Sequence, residues 1–447
     1  MGILDLTHSW AGIAALVVFV VAYAVVITEE FTHLRKSKPV MLAAGLIWAI
    51  IGIEYILSDQ PAELEVAVSQ YLAEFAELFL FLLVAMTYVN SMSERGVFEV
   101  LRTRLVRLGL GARTFFWVSG FISFFLSALI DNLTTALVMS GVILAVGKGH
   151  PRFIAISCVN IVVAANAGGA FSPFGDITTL MVWQDGQVRF EQFFALLLPS
   201  LVNYLVPAVF MSLAIKNERL GSTAEDVQLR PGAVGIMVLF GLTIVLSVSF
   251  HNFLHMPPVV GMLTGLGYLQ LFGFYLKKTV NRDHQGKADD AEHDGEMGSP
   301  VAFDVFAPVA RAEWDTLLFF YGVVLCVGGL GFLGYLGMAS ELMYTGWGAT
   351  YANIAVGVLS AIVDNIPVMF AVLTMNPDMS TGQWLLVTLT AGVGGSLLSI
   401  GSAAGVALMG QARGQYTFFG HLRWSPIIAV GYVASILAHM WINAAQF

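Results

Sequence analysis

The sequence predicts an all-α polytopic membrane protein built from two inverted five-crossing repeats. Composition, the distribution of basic residues and an internal repeat support this fold class. Hydrophobic residues make up 57% of the 447 residues and charged residues only 11%, whereas roughly 25% of a typical soluble domain is charged. So few charges cannot cover a soluble surface, which excludes a cytosolic enzyme, a disordered chain and a nucleic-acid-binding protein.

Apolar segments occur along the whole chain, and a crossing of the bilayer core by a helix needs roughly 20 such residues. The first segment ends in Glu29-Glu30 rather than at a small-residue cleavage site, so we interpret it as a transmembrane helix and not as a signal peptide. Eight simple crossings are predicted, at 10–28, 39–58, 71–90, 192–214, 231–250, 257–277, 313–337 and 424–445.

Two further apolar segments are too long for one crossing and too short for two. Each is interrupted near its middle by an Asp-Asn pair, which indicates a re-entrant helical hairpin that enters and leaves the membrane on one side. The predicted hairpins are 114–148, interrupted at Asp131-Asn132, and 347–375, interrupted at Asp364-Asn365.

Two other segments are interrupted by a pair of glycines and are each predicted to cross once as a Gly-broken helix. Irregular backbone at membrane depth is tolerated only where protein or a polar cavity covers it. The broken helices are 152–185, with Gly168-Gly169, and 382–410, with Gly394-Gly395.

The basic residues support this arrangement of ten crossings and two hairpins. With the N-terminus outside, 20 of the 21 Lys and Arg residues fall on the inner side, and only Arg189 falls outside. Such an asymmetry is expected from the positive-inside rule. If either hairpin were a plain crossing, every later loop would change sides and the pattern would be lost. Both termini are therefore predicted on the outer side.

Two polar regions lie outside the crossings. Residues 91–113 alternate arginines with Val, Leu and Phe, which predicts an amphipathic helix on the inner surface. Residues 279–300 are rich in Asp and Glu and are predicted to form a flexible acidic loop.

The two halves of the chain, 1–220 and 221–447, resemble each other. The segment 127–132 (SALIDN) matches 360–365 (SAIVDN), and the glycines of the two broken helices match in the same way. Each half has three simple crossings, a hairpin, a broken helix and a last crossing. Because five crossings is an odd number, the second half is expected to be inverted. Inverted repeats with discontinuous helices are typical of secondary transporters.

Three acids, Asp131, Asp176 and Asp364, lie at the interruptions, where an ionised side chain is costly. None has a Lys or Arg near it in the sequence within the membrane, so we expect the compensating charge to come from a bound cation or a proton. Hard cations prefer oxygen ligands, and side-chain oxygens are frequent around the acids. The candidate ion- and proton-binding residues are Asp131, Asn132, Thr134, Thr135, Asn166, Asp176, Asp364, Asn365, Ser399 and Ser402.

Each feature also has a purely structural interpretation. An Asp-Asn pair can cap a helix at a hairpin tip, a glycine pair can allow close helix packing, and a Ser or Thr can bond back to its own helix. The occurrence of both pairs at matching positions of a repeat favours a binding site.

The motifs that carry these residues are SALIDNLTTALVM at 127–139, NAGGAFSPFGDITTLMVW at 166–183, AIVDNIPVMF at 361–370 and GGSLLSIGSAAGVALMG at 394–410. They resemble the NhaD-type sodium/proton antiporters of the ion transporter superfamily. The resemblance implies Asp131, Asn132, Asp364 and Asn365 as Na⁺ ligands and Asp176 as a second-tier carboxylate. It also implies Ser399 and Ser402 as the symmetric polar partners of these residues.

The same resemblance implies a homodimer in the bacterial inner membrane that exchanges Na⁺, and often Li⁺, for H⁺ by an elevator movement. Na⁺ and H⁺ are then substrates, with no resident cofactor and no enzymatic reaction. Two alternatives stay open. One is an Na⁺- or H⁺-coupled transporter of an anion, a dicarboxylate or an oxyanion, which helix N-termini favour. The other is a channel or a membrane scaffold.

Overall fold

The computed structural model of the protein describes residues 6–32, 34–58, 61–216, 218–220, 227–288 and 306–447. Within these ranges the regular structure is helical, and the one β-type pairing recorded is an isolated bridge between Gly111 and Arg219. The predicted all-α class is confirmed.

The first half of the described chain contains ten α-helices, and a 3₁₀ turn at Phe190–Leu196 leads into the tenth. They are α1 (Trp10–Ile27), α2 (Glu29–Thr32), α3 (Ser37–Leu57), α4 (Pro61–Glu94), α5 (Val97–Arg107), α6 (Ala112–Ser127), α7 (Asn132–Val146), α8 (Pro151–Gly169), α9 (Ile177–Gln184) and α10 (Leu197–Leu213).

The second half of the described chain contains eleven α-helices, a π-helical segment at Glu341–Trp347 and a final 3₁₀ turn at Ala444–Gln446. The α-helices are α11 (Ala233–Leu254), α12 (Pro258–Ala288), α13 (Phe306–Ala310), α14 (Trp314–Phe332), α15 (Tyr335–Ser340), α16 (Ala349–Leu359), α17 (Asn365–Met375), α18 (Thr381–Gly394), α19 (Ala403–Gln411), α20 (Phe418–Leu422) and α21 (Ser425–Ile442).

Nine helices in the described ranges are long and apolar enough to cross a membrane. Eight of them correspond to the predicted simple crossings, and the ninth is α8, the first part of a predicted broken helix. Its counterpart α18 is shorter, at 14 residues. The four shorter apolar helices are α6, α7, α16 and α17, which are the arms of the predicted hairpins. The chain is a multi-pass membrane protein.

The chain packs into two compact units. The first comprises Met1–Phe75, Arg104–Ala224 and Leu318–Phe447, and its centre is formed by α8 and α18, which are buried along nearly their whole length. The second comprises Ala76–Thr103 and Glu225–Leu317. In that unit the Tyr88 hydroxyl donates to the Gly265 carbonyl oxygen at 2.7 Å and lies 2.8 Å from the Thr243 hydroxyl, which ties α4 to α11 and α12.

The first hairpin, α6 and α7, packs against α8. The start of α6 lies beside the start of α8, because the rings of Phe115 and Phe153 are 6.5 Å apart. The end of α6 lies beside the end of α8, where Ser127 Oγ donates to the Ala165 carbonyl oxygen at 2.6 Å. Since Gly147, just after α7, also contacts Phe153, α7 runs antiparallel to α6 and the two ends of the hairpin meet.

The second hairpin, α16 and α17, repeats this packing against α18. Asn353 Nδ2 donates to the Gln383 carbonyl oxygen at 3.0 Å, and Ser360 Oγ donates to the Ala391 carbonyl oxygen at 2.8 Å. The α16 helix therefore runs parallel to α18. Only residues 376–380 connect α17 to α18, so α17 returns along the hairpin.

Close helix packing recurs at matching glycines of the two halves. A Cβ atom at Gly168 would approach the Phe124 carbonyl oxygen to well under 3.0 Å, and one at Gly394 would approach the Gly357 carbonyl oxygen as closely. Both glycines therefore allow two helices to pack closely, which is the purely structural interpretation of a glycine pair. The repeat seen in the sequence extends to matching contacts, whereas the inversion of the second half stays a prediction.

The structure describes the first of the two polar regions outside the crossings, 91–113, and part of the second, 279–300. Between the crossings, α5 exposes Arg102 and Arg104 and buries Leu105 and Val106, as an amphipathic helix does. The acidic loop was predicted to begin at residue 279, but α12 continues to Ala288. The prediction is wrong for residues 279–288 because a change to polar residues ends an apolar segment without ending a helix. Residues 289–300 of that loop lie outside the described residues.

Candidate functional site

Both hairpin tips and both helix breaks contribute side chains to one buried polar cluster. The tips lie at the starts of α7 and α17, and the breaks lie between α8 and α9 and between α18 and α19. Three residues at these positions act as N-caps whose side chains accept backbone N–H groups, as unpaired helix N-termini require. They are Asp131 for α7, Asp176 for α9 and Ser402 for α19.

Asp176 is at the centre of this cluster and is only 4% exposed. Its Oδ1 accepts hydrogen bonds from Thr178, from the backbone N–H and from the hydroxyl, both at 2.9 Å. Its Oδ2 accepts from Asn132 Nδ2 at 3.2 Å and from Asn365 Nδ2 at 3.1 Å. One carboxylate therefore connects the tips of both hairpins.

Asn166 connects the two helix breaks and is fully buried. Its Oδ1 accepts from Asn132 Nδ2 at 3.2 Å. Its Nδ2 donates to Ser396 Oγ at 2.9 Å and to Ser402 Oγ at 3.0 Å. Four predicted site residues are thus connected to Asp176. Asn132 and Asn365 bond to it directly, Asn166 is connected through Asn132, and Ser402 is connected through Asn166 and Asn132.

The environment of Asp131 differs from that of Asp176 and also from that of Asp364, the residue that Asp131 matches in the repeat. Its Oδ1 accepts from the Thr134 N–H at 2.8 Å and its Oδ2 accepts from the Thr134 hydroxyl at 2.7 Å. Asp131 is therefore the N-cap of α7, as the structural interpretation of the Asp-Asn pair expects. Thr135 Oγ1 bonds back to the Ile130 carbonyl oxygen at 3.4 Å.

The expectation that no intramembrane acid has a basic partner is wrong for Asp364. Its Oδ2 lies 2.5 Å from Lys36 Nζ, and both side chains are largely buried. Lys36 was assigned to the first inner loop, and 328 residues separate it from Asp364. A search for bases near the acids in sequence therefore missed it. The same ammonium lies 4.3 Å from the centroid of the Phe319 ring, where a cation is attracted to the aromatic face.

Ser399 is buried near the second break, but its recorded hydrogen bond goes to Met409 Sδ at 3.4 Å and not to the cluster. Ser396, six residues before Ser402 in the break, joins the cluster instead through Asn166. Ser399 was a predicted site residue and Ser396 was not, because the spacing of residues in an unwound segment does not show which serine points inward.

His421 is a buried neighbour of the second break that was not among the residues selected from the sequence. Its Nε2 lies 2.8 Å from the Ser396 carbonyl oxygen, and its Nδ1 lies 2.8 Å from the Tyr416 hydroxyl. Burial lowers the pKa of His421 to about 4, against a smaller opposing effect of the Ser396 carbonyl. The imidazole is therefore neutral at physiological pH and acts as a hydrogen-bonding support.

The cluster combines carboxylates with groups that can both donate and accept. An Asn amide offers two N–H donors and one oxygen acceptor, and a hydroxyl offers one donor and two lone pairs. Asn132 and Asn365 can therefore donate to an ionised Asp176, as they do here, or turn an oxygen towards a cation. Such a site is suited to holding either a proton or a small hard cation.

The chain is similar to known transport proteins over most of its length. The model of the citrate transporter family matches residues 9–392. The Na⁺/H⁺ antiporter NhaD of Alkalimonas amylolytica is 59% identical over 450 residues, which cover 99% of this chain and 93% of that protein.

Two further relatives extend the range. The Na⁺/H⁺ antiporter NhaD of Halomonas elongata is 57% identical, with 100% of this chain and 91% of that protein covered. Sodium/proton antiporter 1 of Arabidopsis thaliana is 32% identical, with 100% and 76% covered. Full-length identity at this level, together with the match to the family model, makes the chain a member of the NhaD-type antiporters within the citrate transporter family of the ion transporter superfamily.

Proposed function

We propose that the protein exchanges Na⁺ for H⁺ across the membrane and that the Asp176 cluster is where the two ions compete. The observation that carries the proposal is the bonding of one buried carboxylate to Asn132 and Asn365, one from each hairpin tip. The names of the full-length relatives, which are Na⁺/H⁺ antiporters, support the same ions.

The proposed mechanism needs only one set of sites. A carboxylate in a low-dielectric environment favours its protonated form, and a nearby cation favours its ionised form. Asp131, Asp176 and Asp364 then carry protons when the cation has left and bind Na⁺ when the protons have left. With Na⁺ at the site, Asn132 and Asn365 turn their amide oxygens towards it. Because Na⁺ and H⁺ cannot occupy the site together, the binding of one ion releases the other, and the two are exchanged.

Further parts of the proposal follow from the resemblance to NhaD-type proteins. The protein is a homodimer in the bacterial inner membrane, with both termini outside, and it moves its hairpins and broken helices as an elevator. Li⁺ is expected as a second substrate because it is a small hard cation like Na⁺. Repeats that rock or slide around a fixed midplane site are a general design of secondary transporters.

A second candidate function is anion transport, which the description of the matching family as citrate transporters favours. Helix N-termini attract anions through their dipoles. In this chain, however, the N-termini of α7 and α9 are already occupied by Asp131 and Asp176. Three acids accompany one lysine, so an added anion would be repelled. Cation exchange is the better-supported function.

The test is proton flux in everted membrane vesicles that contain the protein, followed by dequenching of a pH-sensitive dye. Addition of Na⁺ or Li⁺ is expected to dissipate the pH gradient, and K⁺ is expected to have little effect. Uptake of radiolabelled citrate, measured in the same vesicles, is expected to stay at the background level. Citrate uptake without Na⁺-dependent proton flux would support the anion transporter instead.

A further inference from the structure

The two matching hairpin acids differ in how their charge is compensated. Asp131 is held by the backbone N–H and the hydroxyl of Thr134. Asp364 is the N-cap residue of α17 but accepts no side-chain capping bond there. It is instead 2.5 Å from Lys36 Nζ.

One residue explains the difference. Positions 131 and 364 are 233 residues apart, and the residue that matches Thr134 at the same offset is Pro367. Proline has neither a backbone N–H nor a hydroxyl, so nothing at that position can donate to Asp364. In the first hairpin Thr134 donates to Asp131, whereas in the second hairpin the matching residue cannot donate to Asp364.

Lys36 is that partner and lies directly before α3, as the N-cap residue of that helix. The side chain of Lys36 is 16% exposed and that of Asp364 is 12% exposed. Within the described residues, Tyr23 and Asp176 also interact electrostatically with Asp364, and Cys326 interacts with Tyr23. Of these groups only Lys36 carries a positive charge.

The second carboxylate oxygen of Asp364 is without a hydrogen-bond partner in the described ranges. This atom, Oδ1, is buried. A cation that used both carboxylate oxygens would have to take Oδ2 from the lysine. Two positive charges on one carboxylate repel each other at close range, so pairing with Lys36 and binding of a metal cation exclude each other.

We propose that Lys36 is a tethered competitor for the transported cation: its ammonium group occupies Asp364 until Na⁺ displaces it. This inference rests on the proposed Na⁺/H⁺ exchange and adds a residue to its site. A lysine suits the task because its charge is a point on a flexible stem, so it can leave one carboxylate oxygen without breaking a bidentate contact. The apparent Na⁺ affinity is then reduced by the fraction of protein in which Lys36 holds Asp364.

Replacement of the ammonium by an apolar side chain of similar length removes the competitor and keeps the packing near Phe319. In Lys36→Met, the Na⁺ concentration that gives half-maximal proton flux is expected to fall several-fold. The assay is run in everted vesicles at one fixed alkaline pH, where protons compete least for the unpaired Asp364. Lys38→Met is the matched control, because Lys38 is an exposed lysine two residues further on, and its half-saturating concentration is expected to equal that of the wild type.

Lys36→Arg keeps the charge and tests the same idea if the methionine variant does not fold. A guanidinium binds a carboxylate with two parallel hydrogen bonds, so it should hold Asp364 more firmly. The half-saturating Na⁺ concentration of Lys36→Arg is expected to rise several-fold. A purely structural role for Lys36 would instead raise the value in the methionine variant and lower the thermal stability of that variant.

The outcomes separate the two proposals. Absence of Na⁺-dependent proton flux in the wild type would overturn both. Normal wild-type flux, with Lys36→Met equal to Lys38→Met or needing more Na⁺, would overturn only the role of Lys36. An unchanged or lowered half-saturating Na⁺ concentration in Lys36→Arg would also overturn only the role of Lys36. A decrease for methionine together with an increase for arginine is the result that supports the inference.

Discussion

At the scale of single residues, the matching acids of the two halves, Asp131 and Asp364, have different partners. The sequence identified the acids and amides at both interruptions because ionisable side chains are rare in apolar segments. It did not identify Lys36, because the contact with Asp364 depends on the packing of distant parts of the chain. Nor did it show that Asp176, and not the hairpin acids, binds the amides of both tips.

The hairpin acids are expected to be needed for exchange. Asp131→Asn and Asp364→Asn each remove a charge. The α7 helix should still form because Asn caps a helix about as well as Asp does, and α17 should still form because the Asp364 side chain makes no capping bond to it. Na⁺-dependent dye dequenching in everted vesicles should be lost in both variants. Asp185→Asn, at an exposed acid just after α9, is the control and should retain it. Retained flux in both hairpin variants would refute the assignment of these acids.

His421 is expected to have no part in the pH dependence of transport. With its pKa lowered to about 4 by burial, it is neutral over the neutral and alkaline range. His421→Gln should therefore leave the midpoint of the activity–pH profile unchanged. A shift of that midpoint would contradict the neutral assignment.

The same shift predicts an effect on stability in acid. The unfolded chain binds a proton near the ordinary histidine pKa of about 6.5, before the folded protein does at about 4. His421 thus lowers stability as the pH falls between these values and has no such effect above them. The thermal unfolding temperatures of the wild type and of His421→Gln, measured at several pH values, should converge or cross only at acidic pH.

At the scale of helices, the sequence predicted the elements well and their ends less well. Apolar length and the Asp-Asn interruptions predicted the arms of the hairpins, and α6, α7, α16 and α17 fall inside the predicted ranges apart from two residues at the start of α6. That both hairpins enter and leave the membrane on one side stays a prediction from the charge distribution. The end of α12 was missed because polarity and helix length are independent properties. The structural role of the glycines could be proposed from sequence, but only the contacts showed which carbonyl groups they pass.

Gly168 and Gly394 are expected to tolerate no added methyl group. Each Gly→Ala change places a Cβ against a carbonyl oxygen of the neighbouring hairpin, and overpacking of this kind costs about 1–3 kcal/mol. Both variants should unfold at a lower temperature in detergent than the wild type. Gly410→Ala is the matched control, since a Cβ at that helical glycine meets nothing within 4 Å. Equal stability of all three variants would contradict the packing described for the hairpins.

At the scale of the whole molecule, sequence similarity and compactness divide the chain differently. The repeat separates 1–220 from 221–447, whereas the larger compact unit takes segments from both halves. This is expected when matching elements from two repeats build one site, and only tertiary contacts reveal it. The sidedness of the chain stays a prediction from the distribution of basic residues.

Labelling of introduced cysteines tests this sidedness. Cys158 and Cys326 are fully buried and should react poorly with a membrane-impermeant maleimide added to intact cells. Arg189→Cys, at the one basic position predicted outside, should be labelled in intact cells. Lys148→Cys, at a position that is also exposed, should be labelled only after the membrane is opened. The reverse pattern would invert the topology.

The central claim is that Na⁺ and H⁺ compete at Asp176. The most direct test is uptake of ²²Na⁺ into proteoliposomes containing the purified protein, driven by an imposed pH gradient, with Asp176→Asn compared with the wild type. Asn at this position can still accept the Thr178 N–H as a cap, so the comparison isolates the charge. Wild-type uptake that depends on the gradient and disappears in Asp176→Asn is the predicted result. Uptake of equal rate and equal pH dependence in Asp176→Asn would contradict the claim.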